Sequence, residues 1–210
     1  MLKKWTLGLV LLTTSLFSQA TLITSDVDSV DMAGISVTAF FDGGGQETLI
    51  WSALTAAIGG VDNGNWSLKL EGDTFGELDP LTNTIFGLWT LTNNSSTQDI
   101  VGLTIDAGSK GFYFDVLNGY TTSTPGSGAG REFVANDPTV TAVFSDVFLA
   151  PDLFGKLNIA WAQGEKLSLG ESLMFLTDTD KATVPEPSTL FTFALGLIAL
   201  TSLRKKSSGK

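Results

Sequence analysis

The chain contains no cysteine and no histidine. Without cysteine, no disulfide staples the fold, so an exported domain of this size must hold together by its own core. Without histidine there is no Ser-His-Asp or Cys-His pair and no His-ligated zinc. Any catalysis would fall to carboxylates, lysine, tyrosine or a hard metal ion. Positive charge is also scarce, at 12 Lys and Arg against 22 Asp and Glu. Between residues 21 and 184 the imbalance deepens to six basic against 21 acidic residues, a net of −15. Phosphate backbones are bound by Lys and Arg that displace counterions, so nucleic-acid binding is excluded.

Long apolar runs are confined to the two ends. Lys3 and Lys4 precede an apolar stretch from Trp5 to Phe17, and Ser18-Gln19-Ala20 supplies small residues at the −3 and −1 positions. That order predicts a signal peptide over 1–20, cut after Ala20 by signal peptidase. The stretch is too short, and too quickly followed by polar residues, to serve as a good anchor. At the other end Leu190 to Leu203 is apolar and is followed by Arg204-Lys205-Lys206. Extended by Ser188 and Thr189 and by snorkelling lysines, it predicts a short hydrophobic helix over about 189–203 that crosses the membrane transiently, its basic end cytoplasmic. Pro185 and Pro187 hold the preceding segment extended and keep that helix from running back into the domain.

The middle, residues 21–184, is long enough to bury a sizeable core. Its dominant pattern is alternation with period two: Ile35 to Ala39, Trp66 to Glu71, Val101 to Asp106, Phe112 to Val116 and Val140 to Phe144. Such runs mark strands with one buried face. Glycine- and asparagine-rich turn signals separate them, among them Asp42-Gly-Gly-Gly45, Asn93-Asn-Ser-Ser96 and Thr124 to Gly130. Only Glu47 to Ile58 has room for a short helix, stopped by Gly59-Gly60. The expected fold is all-β, an antiparallel two-sheet β-sandwich of jelly-roll or Ig-like type, flanked by the signal peptide and the C-terminal hydrophobic helix.

Few motifs in the middle carry chemistry. Gly126-Ser-Gly128-Ala-Gly130 lacks the spacing of a nucleotide loop, and Ser127 lacks the glycine neighbours of a nucleophile elbow, so the stretch predicts a surface loop. Core packing is the expected role of each tryptophan; Trp66 and Trp161 alternate with core residues, which leaves Trp51 and Trp89 as the candidates if any is a sugar-stacking platform. Asp26 and Asp28 near the start, and Asp178 and Asp180 near the end, each point one way in extended chain. If the first and last strands pair, these four carboxylates converge, and Ca2+ is the cation such a set would take. The plainer expectation, preferred over a metal site, is a solvated acidic rim, because runs of charge usually face water. No glutamate among Glu71, Glu77, Glu132, Glu165 and Glu171 stands in a context that marks a catalytic pair.

The tail "VPEPSTLFTFALGLIALTSLRKK", with its Pro-Glu-Pro, short apolar helix and terminal basic cluster, resembles the PEP-CTERM sorting signal of exported proteins from exopolysaccharide-producing Gram-negative bacteria. The resemblance implies that an exosortase recognises Pro185, Glu186 and Pro187, removes the hydrophobic tail over 185–210, and releases the domain from an inner-membrane intermediate to the cell surface or matrix. The stretches "NWSLKLEGDTFGELDPLTNTIFGLWTLTN", "LTIDAGSKGFYFD", "TPGSGAGREF" and "FLTDTD" are similar to the central domains of a group of such proteins with no assigned activity. The expected function is therefore a non-enzymatic surface or extracellular-matrix protein of a biofilm former, without catalytic residues, with exopolysaccharide as a partner to test. The alternatives are a calcium-dependent carbohydrate-binding module and a small carboxylate-based glycoside hydrolase.

Overall fold

The computed structural model describes residues 22–183 apart from 25–26, 77, 80–83, 86, 117–128 and 150–151. Sixteen strands run through it. The first eight are β1 (Leu22–Thr24), β2 (Ser36–Phe41), β3 (Gln46–Ile50), β4 (Ser52–Ala53), β5 (Ile58–Asp62), β6 (Trp66–Glu71), β7 (Leu78–Asp79) and β8 (Thr84–Ile85). The rest are β9 (Trp89–Asn93), β10 (Ile100–Asp106), β11 (Phe112–Asp115), β12 (Val134–Ala135), β13 (Val140–Leu149), β14 (Leu153–Trp161), β15 (Ser172–Leu176) and β16 (Asp178–Thr183). Helical turns among the described residues are two short 3-10 segments, Ser29–Met32 and Gly108–Lys110. Residues 23–182 form one compact unit.

Wherever a residue register is defined the strand pairings are antiparallel, and they make two main sheets. The smaller one runs β12-β15-β9-β6-β5-β4. The larger one branches. Long β14 carries β13 along one edge; along the other lie β10 (Asp106 opposite Lys156) and then β11 (Phe114 opposite Phe154). Strands β2 and β3 continue outward from β10, while β16 and β1 continue from β11. First and last strands therefore pair, as the acidic-cluster expectation required.

All five alternating runs are strands, because alternation delivers one apolar face to the space between the sheets. Val37, Leu103, Ile105 and Leu157 from the larger sheet and Trp66, Leu68, Leu70, Trp89, Leu91 and Phe175 from the smaller one share a single core. Trp89 stacks on Phe175 at 5.7 Å and lies 5.3 Å from Trp51. Large rings carry about 150–250 Å² each, which makes them the main source of stability in a fold without disulfides.

The helix expected over Glu47 to Ile58 is not formed. That segment is β3, β4 and a turn in which the Thr55 hydroxyl accepts from the backbone N–H groups of Ala57 and Ile58. Two tertiary demands override local helix spacing. Thr48, Ile50 and their neighbours pair with β2, and Gly59 packs so tightly on the Ser29 carbonyl and Trp51 that a β-carbon would collide.

Candidate functional site

In β11, Phe112 and Phe114 face the core, so Tyr113 and Asp115 face the other side of the larger sheet. Across the ladder Asp178 is directly opposite Asp115, and Asp180 opposite Tyr113. The three carboxylates thus share one face, and one oxygen from each lies within 4.8 Å of the others. All three residues are buried, at 0% for Asp115, 1% for Asp178 and 0% for Asp180.

Neighbouring loops close over this cluster. The Thr74 hydroxyl lies 3.2 Å from Asp178 Oδ1 and 3.0 Å from the Thr179 carbonyl, either of which its proton can reach. The Thr179 N–H donates to Asp178 Oδ1 at 2.7 Å. Gly130 sits against Asp115 so closely that any β-carbon there would strike the carboxylate. Arg131 fixes that segment: its N–H donates to the Asp115 carbonyl at 3.0 Å, and its guanidinium donates to the Gly76 carbonyl and lies 5.1 Å above the Phe75 ring.

Burial and the negative charge of Asp180 push the Asp178 carboxyl up to about 8, with Asp115 adding to the rise and the Thr179 and Thr74 hydrogen bonds opposing it. A buried group of anions needs a compensating proton or cation. With oxygen donors alone, and neither nitrogen nor sulfur, the fitting cation is hard: Ca2+ takes six to eight oxygens, of which Asp115, Asp178 and Asp180 could supply three.

Of the four candidate aspartates the structure places Asp178 and Asp180 here, buried where a solvated rim was expected, and joins to them Asp115, which the sequence reading did not single out. No local signal marked Asp115: alternation with Phe112 and Phe114 puts it on the outward face of its strand, where a carboxylate is ordinarily solvated. Asp28 does not join: it is exposed and forms an isolated bridge with Asp73. Asp26 lies outside the described residues. The two sugar-platform candidates are corrected as well. Trp51 is 1% exposed and Trp89 0%, and each donates its indole N–H to a backbone carbonyl, of Ser29 at 2.8 Å and Thr177 at 3.3 Å. Neither offers a ring face to a ligand. Both are core residues because the two sheets need wide rings to fill the gap between them.

Glu71, Glu132, Glu165 and Glu171 are exposed and scattered, and Glu77 lies outside the described residues. Ala20, Pro185, Glu186, Pro187 and the hydrophobic segment 189–203 also lie outside them. No helix among the described residues is long and apolar enough to cross a membrane.

Fold and tail together define a class: a two-sheet β domain followed by an address for export. Residues 183–206 match the PEP-CTERM protein-sorting motif, so the chain carries that signal. The signal indicates passage through the membrane, processing by an exosortase, and export to the cell surface or extracellular space. No curated protein and no solved structure matches the chain.

Proposed function

We propose that this protein is a non-enzymatic component of the cell surface or extracellular matrix, delivered there through its C-terminal signal. The observation that carries the proposal is the sorting motif over 183–206 behind an acidic β domain. Two further features support it. The one close group of carboxylates identified among the described residues is buried at 0–1% exposure, out of a substrate's reach. All four tryptophans of the domain are buried in its core. Replacing Pro185, Glu186 and Pro187 by alanine in the producing bacterium tests the delivery step. The variant is expected to stay in the inner-membrane fraction at precursor mass, while the parent appears shortened at the surface. Equal surface amounts of both would overturn the proposal.

A second reading is favoured by the three converging aspartates: the domain holds a structural Ca2+ ion that ties β11 to β16. Calcium outside the cell would then complete the fold after export, as binding to the folded state alone stabilises it. Thermal melting with 2 mM EDTA or 5 mM CaCl2, at about that scale of excess, tests this. A melting temperature identical in both would end the calcium reading.

A further inference from the structure

On the same outer face as Tyr113, a groove of about 370 Å³ opens where β10 stops and β11 begins. Its floor is bare backbone. Gly108 and Gly155 meet there, and a β-carbon on Gly108 would lie 2.8 Å from the Gly155 Cα. Across the floor the ladder between β13 and β14 shifts register, and Asp146 takes φ 59°, the one positive φ of a non-glycine residue among those described. Such a conformation is costly for a residue with a side chain and persists where the surroundings impose it.

The two walls differ in chemistry. One is the Tyr113–Phe148 pair, stacked with ring centroids 3.9 Å apart and interplanar angle 18°, both half-buried. The other is polar: Asp146 and Asp106 carboxylates lie 2.6 Å and 3.5 Å from the Lys156 ammonium, and Ser109 stands exposed beside them. Beyond Asp106 and Lys156 the next cross-strand row is Thr104 and Asn158, continued by Thr38 and Thr48. Those side chains are uncharged and bonded to one another, Thr104 to Asn158 at 2.9 Å and Thr38 to Thr48 at 2.8 Å.

We infer that this groove binds an uncharged sugar unit of a polysaccharide, with the Tyr113–Phe148 wall against the apolar face of the ring and Asp106, Asp146 and Ser109 toward its hydroxyls. The volume lies within the usual range of ligand clefts, about 300–1,000 Å³. Charge selects the ligand class. Lys156, the cation beside Asp106 and Asp146, is already shared between those two carboxylates, and the domain's net −15 repels an anionic polymer. Hydroxyl groups, by contrast, donate well to ionised acceptors. The row through Thr104 and Thr48 gives the neighbouring units of the chain a flat polar track.

The inference rests on the surface reading of function and has its own test. The full-length chain in detergent is run by affinity electrophoresis through gels containing dextran, laminarin or galactomannan, with anionic alginate as the counter-probe. At least one neutral polymer is expected to retard it, and alginate is not. Asp146→Gly removes one carboxylate at a position whose backbone suits glycine, so it keeps the fold and is expected to weaken retardation about tenfold. Tyr113→Ala is expected to do the same, with near-ultraviolet circular dichroism checking the fold. Retardation by alginate alone, by no neutral polymer, or undiminished in folded Asp146→Gly would overturn the inference. The fractionation experiment is unaffected by any of these, so a failed groove and a failed delivery are told apart.

Discussion

Asp178 is the residue at which burial and chemistry conflict most openly. Its carboxyl is raised to about 8 in the folded chain, against about 3.9 in an unfolded one. The folded state therefore holds a proton that the unfolded state releases. That contribution to stability is complete below the unfolded value and is lost as pH rises through the folded one. In EDTA the melting temperature is expected to fall between pH 5 and pH 8, with Asp115, Asp180, Thr74 and Thr179 being the groups that face the carboxyl. Asp178→Asn keeps the shape and cannot ionise. It should flatten this fall, melt higher than the parent at pH 8 in EDTA, and gain no more from CaCl2 than from NaCl at equal ionic strength. A parent whose melting temperature rises over the same interval would mean that other groups control the pH response. Asp178 and Asp180 were legible in the sequence because strand alternation places neighbours two apart on one side. Asp115 was not, since its partnership depends on the register between β11 and β16, which no local pattern encodes.

At the scale of elements, alternation carried far. The runs at Ile35, Trp66, Val101, Phe112 and Val140 all became strands, and Trp66, Leu68 and Leu70 face the core together. Register, branching and strand order did not follow, because they depend on contacts between distant segments. The 47–58 segment shows the cost of judging locally: its apolar spacing suits a helix, but β2 needs a partner and Gly59 a close backbone neighbour. The tryptophans test the same point from the other side. Trp51 and Trp89 join strands of the two sheets, so Trp89→Ala leaves a cavity between Phe175, Trp51 and Phe114. It is expected to lower unfolding free energy by about 3–5 kcal/mol. Urea denaturation followed by far-ultraviolet circular dichroism measures this, and a loss under about 1 kcal/mol would show that the ring is not the sheet spacer inferred here.

For the whole molecule, the sequence declared its destination more clearly than its work, because an address is contiguous and a binding face is assembled. The net charge of −15 over residues 21–184 is the property that acts on all parts at once. Among the described residues, three of the six basic residues are engaged in ion pairs: Lys69 with Asp62 at 2.8 Å, Lys156 with Asp106 and Asp146, and Lys166 with Asp99 at 2.7 Å and Asp42 at 3.2 Å. These pairs are partly or largely exposed, so water and salt leave each of them little net weight. Repulsion among the remaining carboxylates acts over the Debye length, about 30 Å at 0.01 M salt and about 8 Å at 0.15 M. Screening therefore removes more repulsion than attraction, and the melting temperature is expected to rise as NaCl goes from 10 to 300 mM, a change of that order. A fall would mean that the lysine pairs outweigh the acidic surface. CaCl2 at the same ionic strength separates the general effect from the local one. Equal gains in parent and Asp178→Asn would assign the whole response to surface screening, whereas a larger gain in the parent alone would place a Ca2+ ion among Asp115, Asp178 and Asp180.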